Sequence, residues 1–215
     1  MVFVNGCMDN GDDEPVNHVT LIDAVQIQSR SASELKILIE LSGFDVPASE
    51  IQYGVVVYKI TYRTNYKGSE IIASGIVALP NTDDPLSMVS FQHGTIVAHD
   101  EAPSELTGQD LVIYAALASP GFIAVVPDFI GFGSSSDILH PYYVEEYTAS
   151  AIIDNLKAAL ELAEDKNLNF NGDLFLAGYS EGGYATMATH KSIEQNGLDD
   201  FNLVASFPAS GGYDI

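Results

Sequence analysis

The 215-residue chain sets 30 Asp and Glu against 8 Lys and Arg, a formal net charge of −22, and 47% of it is hydrophobic. A surface this negative repels nucleic acid and anionic lipid headgroups and so excludes a polyanion-binding role, and a single cysteine excludes an intrachain disulfide framework. No apolar run reaches the length of a membrane-spanning helix, and the length suits one α/β domain or most of one.

Residues 1–18 carry no folding pattern. Asp9, Asp12, Asp13 and Glu14, interspersed with Gly6, Gly11 and Pro15, read as a disordered, solvated acidic tether ahead of a folded domain over 19–215. Cys7 leaves two readings open. Val4-Asn5-Gly6-Cys7 before an acidic run resembles the processed end of a bacterial surface lipoprotein, whose cysteine carries a lipid and tethers the protein to a membrane. That reading needs a start upstream of Met1; the other is an ordinary free thiol.

Ser33 to Leu41 reads as a short helix, capped by Ser31 or Ser33 and stopped at Gly43. Tyr53–Tyr62 and Ile71–Leu79 are β-rich runs joined at Asn65-Tyr66-Lys67-Gly68, an antiparallel hairpin. From there strands alternate with helices, the mark of a parallel sheet. Met88–Phe91 is a strand ending at Gln92-His93-Gly94-Thr95, and a helix follows over about 110–118. Phe122–Pro127 is a strand ending at Asp128, and His140-Pro141 leads into a helix over about 144–164. The next strand is Asp173–Ala177, Tyr184–His190 reads as helical, and Leu203–Phe207 is the last strand.

Between that fifth strand and its helix stands Gly178-Tyr179-Ser180-Glu181-Gly182-Gly183. A serine between glycines on a sharp strand-to-helix turn is a nucleophile elbow: the small flanking residues let the backbone bend and leave the hydroxyl exposed at the sheet's edge. A serine hydroxyl needs a base and a site for the developing oxyanion. The N–H of Glu181, at a helix start, is the first oxyanion donor expected, and the Thr95 N–H, after the third strand, is the second. Their side chains are expected to matter less than their positions.

The hairpin, the parallel strands, and the motifs His93-Gly94-Thr95, Pro127-Asp128 and Gly178–Gly183 after strands three, four and five resemble the α/β-hydrolase superfamily over about residues 50–215, nearest to secretory lipase-like and carboxylesterase branches. The resemblance implies a mostly parallel sheet with an N-terminal antiparallel hairpin. It also implies hydrolysis of small-molecule or lipid esters through an acyl-enzyme on Ser180, outside the cytoplasm and without metal or cofactor. His93 and Gly94 would shape the oxyanion loop, Gly178 and Gly182 would allow the elbow, and Asp128 would tie down its loop by accepting backbone N–H bonds. His99-Asp100-Glu101 reads as a solvated loop rather than a metal site, and Tyr142 and Tyr143 as packing residues.

Hydrolases of this fold carry serine, acid and histidine in that order. After Ser180 the only histidine is His190, which on the elbow helix would lie roughly 15 Å along the axis from the serine. Of the later acids, only Asp214 follows a strand end. With six strands counted against the superfamily's eight, the sheet is expected to break off after strand six, lacking strands seven and eight. The triad acid and histidine are then expected beyond Ile215, and this stretch alone is expected to be inactive. A serine peptidase of the same fold and a non-catalytic surface-binding module with a vestigial elbow are the competing readings.

Overall fold

The computed structural model describes residues 18–213. The expectations for Cys7, for the acidic run Asp9–Glu14 and for Asp214 lie outside the described residues. The described chain forms one seven-stranded sheet in the order β1-β2-β3-β5-β4-β6-β7. The strands are β1 (Leu21–Arg30), β2 (Val55–Tyr66), β3 (Ser69–Pro80), β4 (Leu86–Gln92), β5 (Phe122–Pro127), β6 (Phe170–Tyr179) and β7 (Asn202–Ala209). β1, β2 and β3 pair antiparallel, β3 meets β5 antiparallel, and β4 pairs parallel with both β5 and β6, as β6 does with β7.

Four helices cover the sheet: α1 (Ala32–Ser42), α2 (Val112–Ala118), α3 (Glu145–Asp165) and α4 (Glu181–Asn196). The apolar stripe of α3, with Ile152, Leu156, Ala159 and Leu162, and Ala185 and Ile193 of α4 pack into one core with Ile60, Val77, Met88, Val125 and Leu174. Leu35 and Ile39 of α1 and Val112 and Ala115 of α2 close a second core against Val57, Ile76, Ala124 and Val126. Neighbouring strand residues thus face opposite layers, as a pleated sheet covered on both sides requires. Ser31 caps α1 through a reciprocal box with Glu34, and Gly43 ends the helix in the left-handed region, φ 76°.

Two sequence expectations are corrected. The hairpin turn is the pair Lys67-Gly68 alone, both at positive φ (51° and 77°), while Asn65 and Tyr66 still pair across the ladder. That is the backbone twist favoured in two-residue hairpins. The strand count is seven rather than six, because β1 precedes the hairpin. β1 is an edge strand whose Val25 is 52% exposed, and two register shifts break its alternation, so it lacks a buried-strand pattern. Its entry is held from α3: the Glu161 carboxylate accepts the N–H groups of Val19, Thr20 and Leu21 at 2.6–3.2 Å, and His18 Nε2 lies 2.9 Å from Asp165 Oδ2. The other edge is β7, where Val204 and Phe207 are 48% and 60% exposed.

Candidate active site

The carboxyl ends of β4, β5 and β6 lie side by side, where open α/β sheets bind ligands. At the end of β6 the chain turns through Ser180, which sits at φ 58° and ψ −119° before α4 begins at Glu181. A non-glycine residue held there stores about 1–3 kcal/mol of strain, so the surroundings must impose it. They do so by hydrogen bonds: Ser180 N–H donates to Ala209 O at 2.9 Å, and Ser180 O accepts Gly183 N–H at 3.0 Å and Tyr184 N–H at 3.2 Å. The glycines are dictated by space. A Cβ on Gly182 would run into the Gln92 and His93 carbonyls of β4 and its following loop, and one on Gly178 into the Gly182 carbonyl and Thr186 Oγ1. Buried Gln92 locks the same junction, accepting the Thr186 hydroxyl at 2.8 Å and donating to Ser90 Oγ at 2.6 Å.

The loop after β4 comes up against this turn. A Cβ built on Gly94 would stand 3.5 Å from Tyr179 O and 3.7 Å from Ser180 Cβ. Thr95 follows, and among the described residues nothing accepts its N–H; its Oγ1 lies 3.0 Å from the Tyr142 hydroxyl. Glu181 is the first residue of α4, so its N–H has no intrahelical partner and points out of the positive end of the helix. Two backbone donors are thereby brought to the neighbourhood of one serine.

His93 and Asp128 are buried beneath this surface. The His93 ring, 6% exposed as a residue, has Nδ1 2.7 Å from Gly94 O and packs on Phe129 with centroids 4.4 Å apart. Burial pushes its pKa down, which favours the neutral imidazole. Asp128 is fully buried; it accepts the Ser104 N–H at 2.8 Å and the Ser74 hydroxyl at 2.5 Å, while Ser74 Oγ accepts the Ser134 N–H at 2.7 Å. It therefore ties together β3, the segment before α2 and the loop after β5. Burial outweighs these hydrogen bonds and raises its carboxyl above the usual range.

The other histidines are also accounted for. His190 Nδ1 lies 2.9 Å from Ser206 Oγ and Nε2 3.2 Å from Glu194, well along α4 from the serine. His99 rests against Phe132, and Glu101 accepts the Val97 and Ala98 N–H groups. Among the described residues no three His, Cys, Asp or Glu side chains converge as metal ligands. His140 has both ring nitrogens engaged, Nδ1 at 2.6 Å from Ile130 O and Nε2 at 2.6 Å from Glu181 Oε1. Among the described residues no imidazole is hydrogen-bonded to Ser180. Sequence reasoning missed the Glu181 side chain, which is 5% exposed and reaches His140, and the lock of Gln92 on Thr186. Tyr143 packs on the Tyr184 ring at 4.4 Å, and Tyr142 on Tyr143 at 4.5 Å, with the Tyr142 hydroxyl also at Thr95.

A groove of about 450 Å³ lined by Val89, Leu117, Phe122, Phe175 and Phe207 is almost wholly apolar, but it lies on the α2 face of the sheet and not at the carboxyl edge beside Ser180.

The Secretory lipase family matches residues 99–197, from the loop after β4 through the elbow helix. A Legionella pneumophila protein assigned as a hydrolase superposes with a TM-score of 0.81 at 32% identity, over 90% of this chain and 53% of that one. This is an α/β-hydrolase fold, and the chain resembles secretory lipases and esterases. The rice cell wall degrading esterase LipA from Xanthomonas oryzae superposes on this hydrolase fold with a TM-score of 0.79 at 28% identity, over 90% of this chain and 50% of that one. Candida antarctica lipase A, at 20% identity and a TM-score of 0.58 over 86% of this chain and 40% of its own, shares the fold. The chain spans about half the length of the first two structures. No curated protein matches it.

Proposed function

We propose that this chain is the nucleophile-bearing part of a secreted or surface-anchored serine carboxylesterase or lipase. The observation that carries the reading is Ser180 itself, held at φ 58° on a strand-to-helix turn, with Glu181 opening α4 and Gly94, next to Thr95, closing on the same turn; the Glu181 and Thr95 N–H groups are the proposed oxyanion donors. Ser180 Oγ would attack the ester carbonyl. The carbonyl oxygen becomes an oxyanion held by those two N–H groups, the alcohol leaves with the proton taken from the serine, and water hydrolyses the acyl-enzyme. His93 and Gly94 shape the donor loop, Gly178 and Gly182 permit the elbow, and Asp128 fixes the loop after β5. Residues 1–18 are the tether, ending either in a lipid anchor on Cys7 or in a free Cys7 thiol, and 19–215 the hydrolase domain.

The base and the acid are left unassigned: among the described residues no imidazole reaches Ser180, and the chain spans about half the length of the solved esterase it resembles. The substrate class is an acyl ester, the class of the esterase and lipase relatives. Turnover of short p-nitrophenyl acyl esters by the complete protein, set against aminoacyl amides, tests this directly. Ester hydrolysis lost in Ser180→Ala is the expected result; amide cleavage in preference to esters, or no turnover of either, would overturn it.

A further inference from the structure

Glu181 presents a carboxylate on the very residue whose N–H faces the oxyanion site. A negative charge there opposes the charge that forms on the substrate, so something must offset it. The groups around it are few. From the loop after β5 come Phe129, Phe132 and His140; His93 lies beyond Phe129, with Asp128 behind it, and His99 beyond Phe132. Tyr142 packs edge-on against His140, and Tyr143 packs between Tyr142 and Tyr184. Of these, only His140 makes an ion pair with Glu181, and among the described residues no lysine or arginine does.

The donor inventory fixes the proton. The Ile130 carbonyl can only accept, so His140 Nδ1 carries a hydrogen. Nε2 then stands 2.6 Å from Glu181 Oε1, and two lone pairs cannot face each other at that distance. A proton lies between them, and the pair is neutral as a whole. Resting on the assignment of Ser180 as nucleophile, we infer that His140 is a positioning residue that neutralises the Glu181 carboxylate and holds the first turn of α4, so that the oxyanion forms beside a neutral pair rather than a bare negative charge.

The pH dependence follows. Burial by itself would lower His140, but the Glu181 hydrogen bond, the Ile130 carbonyl and the Glu181 charge together raise it above the ordinary histidine value. The imidazolium therefore persists to a higher pH than that of an ordinary histidine, and its loss as pH rises through that raised value uncovers the carboxylate. Acylation should therefore fall along an alkaline limb.

The test uses the complete protein, with the rate of Ser180 labelling by a fluorophosphonate and kcat/KM for a short acyl ester as readouts. His140→Gln keeps an N–H for Glu181 but no charge, and should slow both rates about 10- to 100-fold at neutral pH, short of the loss of a whole oxyanion donor. Glu181→Gln should remove the alkaline limb. The double variant His140→Gln/Glu181→Gln should regain most of the lost rate, because no carboxylate remains to be neutralised. A plain tether predicts the opposite, a double variant no faster than His140→Gln. Wild-type rates in His140→Gln, or no regain in the double variant, would overturn the inference alone. A wild-type protein that is neither labelled nor active would overturn the nucleophile assignment and this inference with it. Should His140→Gln fail to fold, a flat wild-type labelling rate across the alkaline range would overturn it without any variant.

Discussion

Asp128→Ala probes what holds the floor of the site. In the folded protein the carboxylate accepts the Ser104 N–H at 2.8 Å and the Ser74 hydroxyl at 2.5 Å, with no solvent access. Alanine leaves both donors without an acceptor, at about 1–3 kcal/mol each, or about 2–6 kcal/mol for the two. Against this stands the relief of a fully buried charge, the effect that raises the Asp128 pKa. A net loss of about 3 kcal/mol is expected. Asparagine keeps one carbonyl oxygen for Ser104 and sheds the charge, so its cost should be about 1 kcal/mol. Urea denaturation with the m-value monitored measures both; for a domain of this size they correspond to falls in Tm of about 6–12 °C and about 2–4 °C. The pH arm has a definite sign. Because the folded-state pKa is raised, the stability gained from protonation is complete below the unfolded value and is lost as pH rises through the folded value. The Asn variant does not titrate, so its deficit against wild type should be largest near about pH 4 and shrink toward neutrality. Equal stability of the two variants, or an Ala variant more stable than Asn, would refute the reasoning.

Gly182→Ala places a methyl group against the Gln92 and His93 carbonyls, so thermal melts should show a loss of at least about 2 kcal/mol, and Ser180 should label far more slowly than in wild type. Wild-type labelling in that variant would mean that the elbow tolerates displacement. Added NaCl should raise the melting temperature, because 30 acidic groups against 8 basic ones repel one another and ions screen that repulsion over about 10 Å at 0.1 M. A melting temperature falling steadily from low to seawater-like salt would contradict this. The alkaline limb and its removal by Glu181→Gln complete the set.

Much of the fold was readable because its local signals agree with its topology. The strand-to-helix turn around Ser180 carries its glycines where backbone meets backbone, and the Lys67-Gly68 hairpin and the Ser31–Gly43 helix carry their own punctuation. β1 was missed because an edge strand buries so little: its polar Gln26 and Gln28 and two register shifts erase the alternation that marks a half-buried strand. At the site, the turn at Ser180 and the approach of the Gly94 loop to it could be placed from spacing because backbone geometry sets both. The His140–Glu181 pair could not, since its members are 41 residues apart in sequence and meet only once the loop after β5 folds over α4. The partners of Asp128 were likewise hidden: backbone N–H bonds were expected without a named donor, and the N–H it accepts belongs to Ser104, 24 residues earlier.

The central claim is that Ser180 is a nucleophile, and covalent labelling tests it most directly. A fluorophosphonate should react with the complete protein at one site, with Ser180 Oγ forming a bond to phosphorus as fluoride leaves. Peptide mass spectrometry should place the adduct on the segment containing Gly178-Tyr179-Ser180-Glu181-Gly182, and Ser180→Ala should abolish it while the protein stays folded. No adduct on the complete, folded protein, or an adduct on a different serine that persists in Ser180→Ala, would contradict the account.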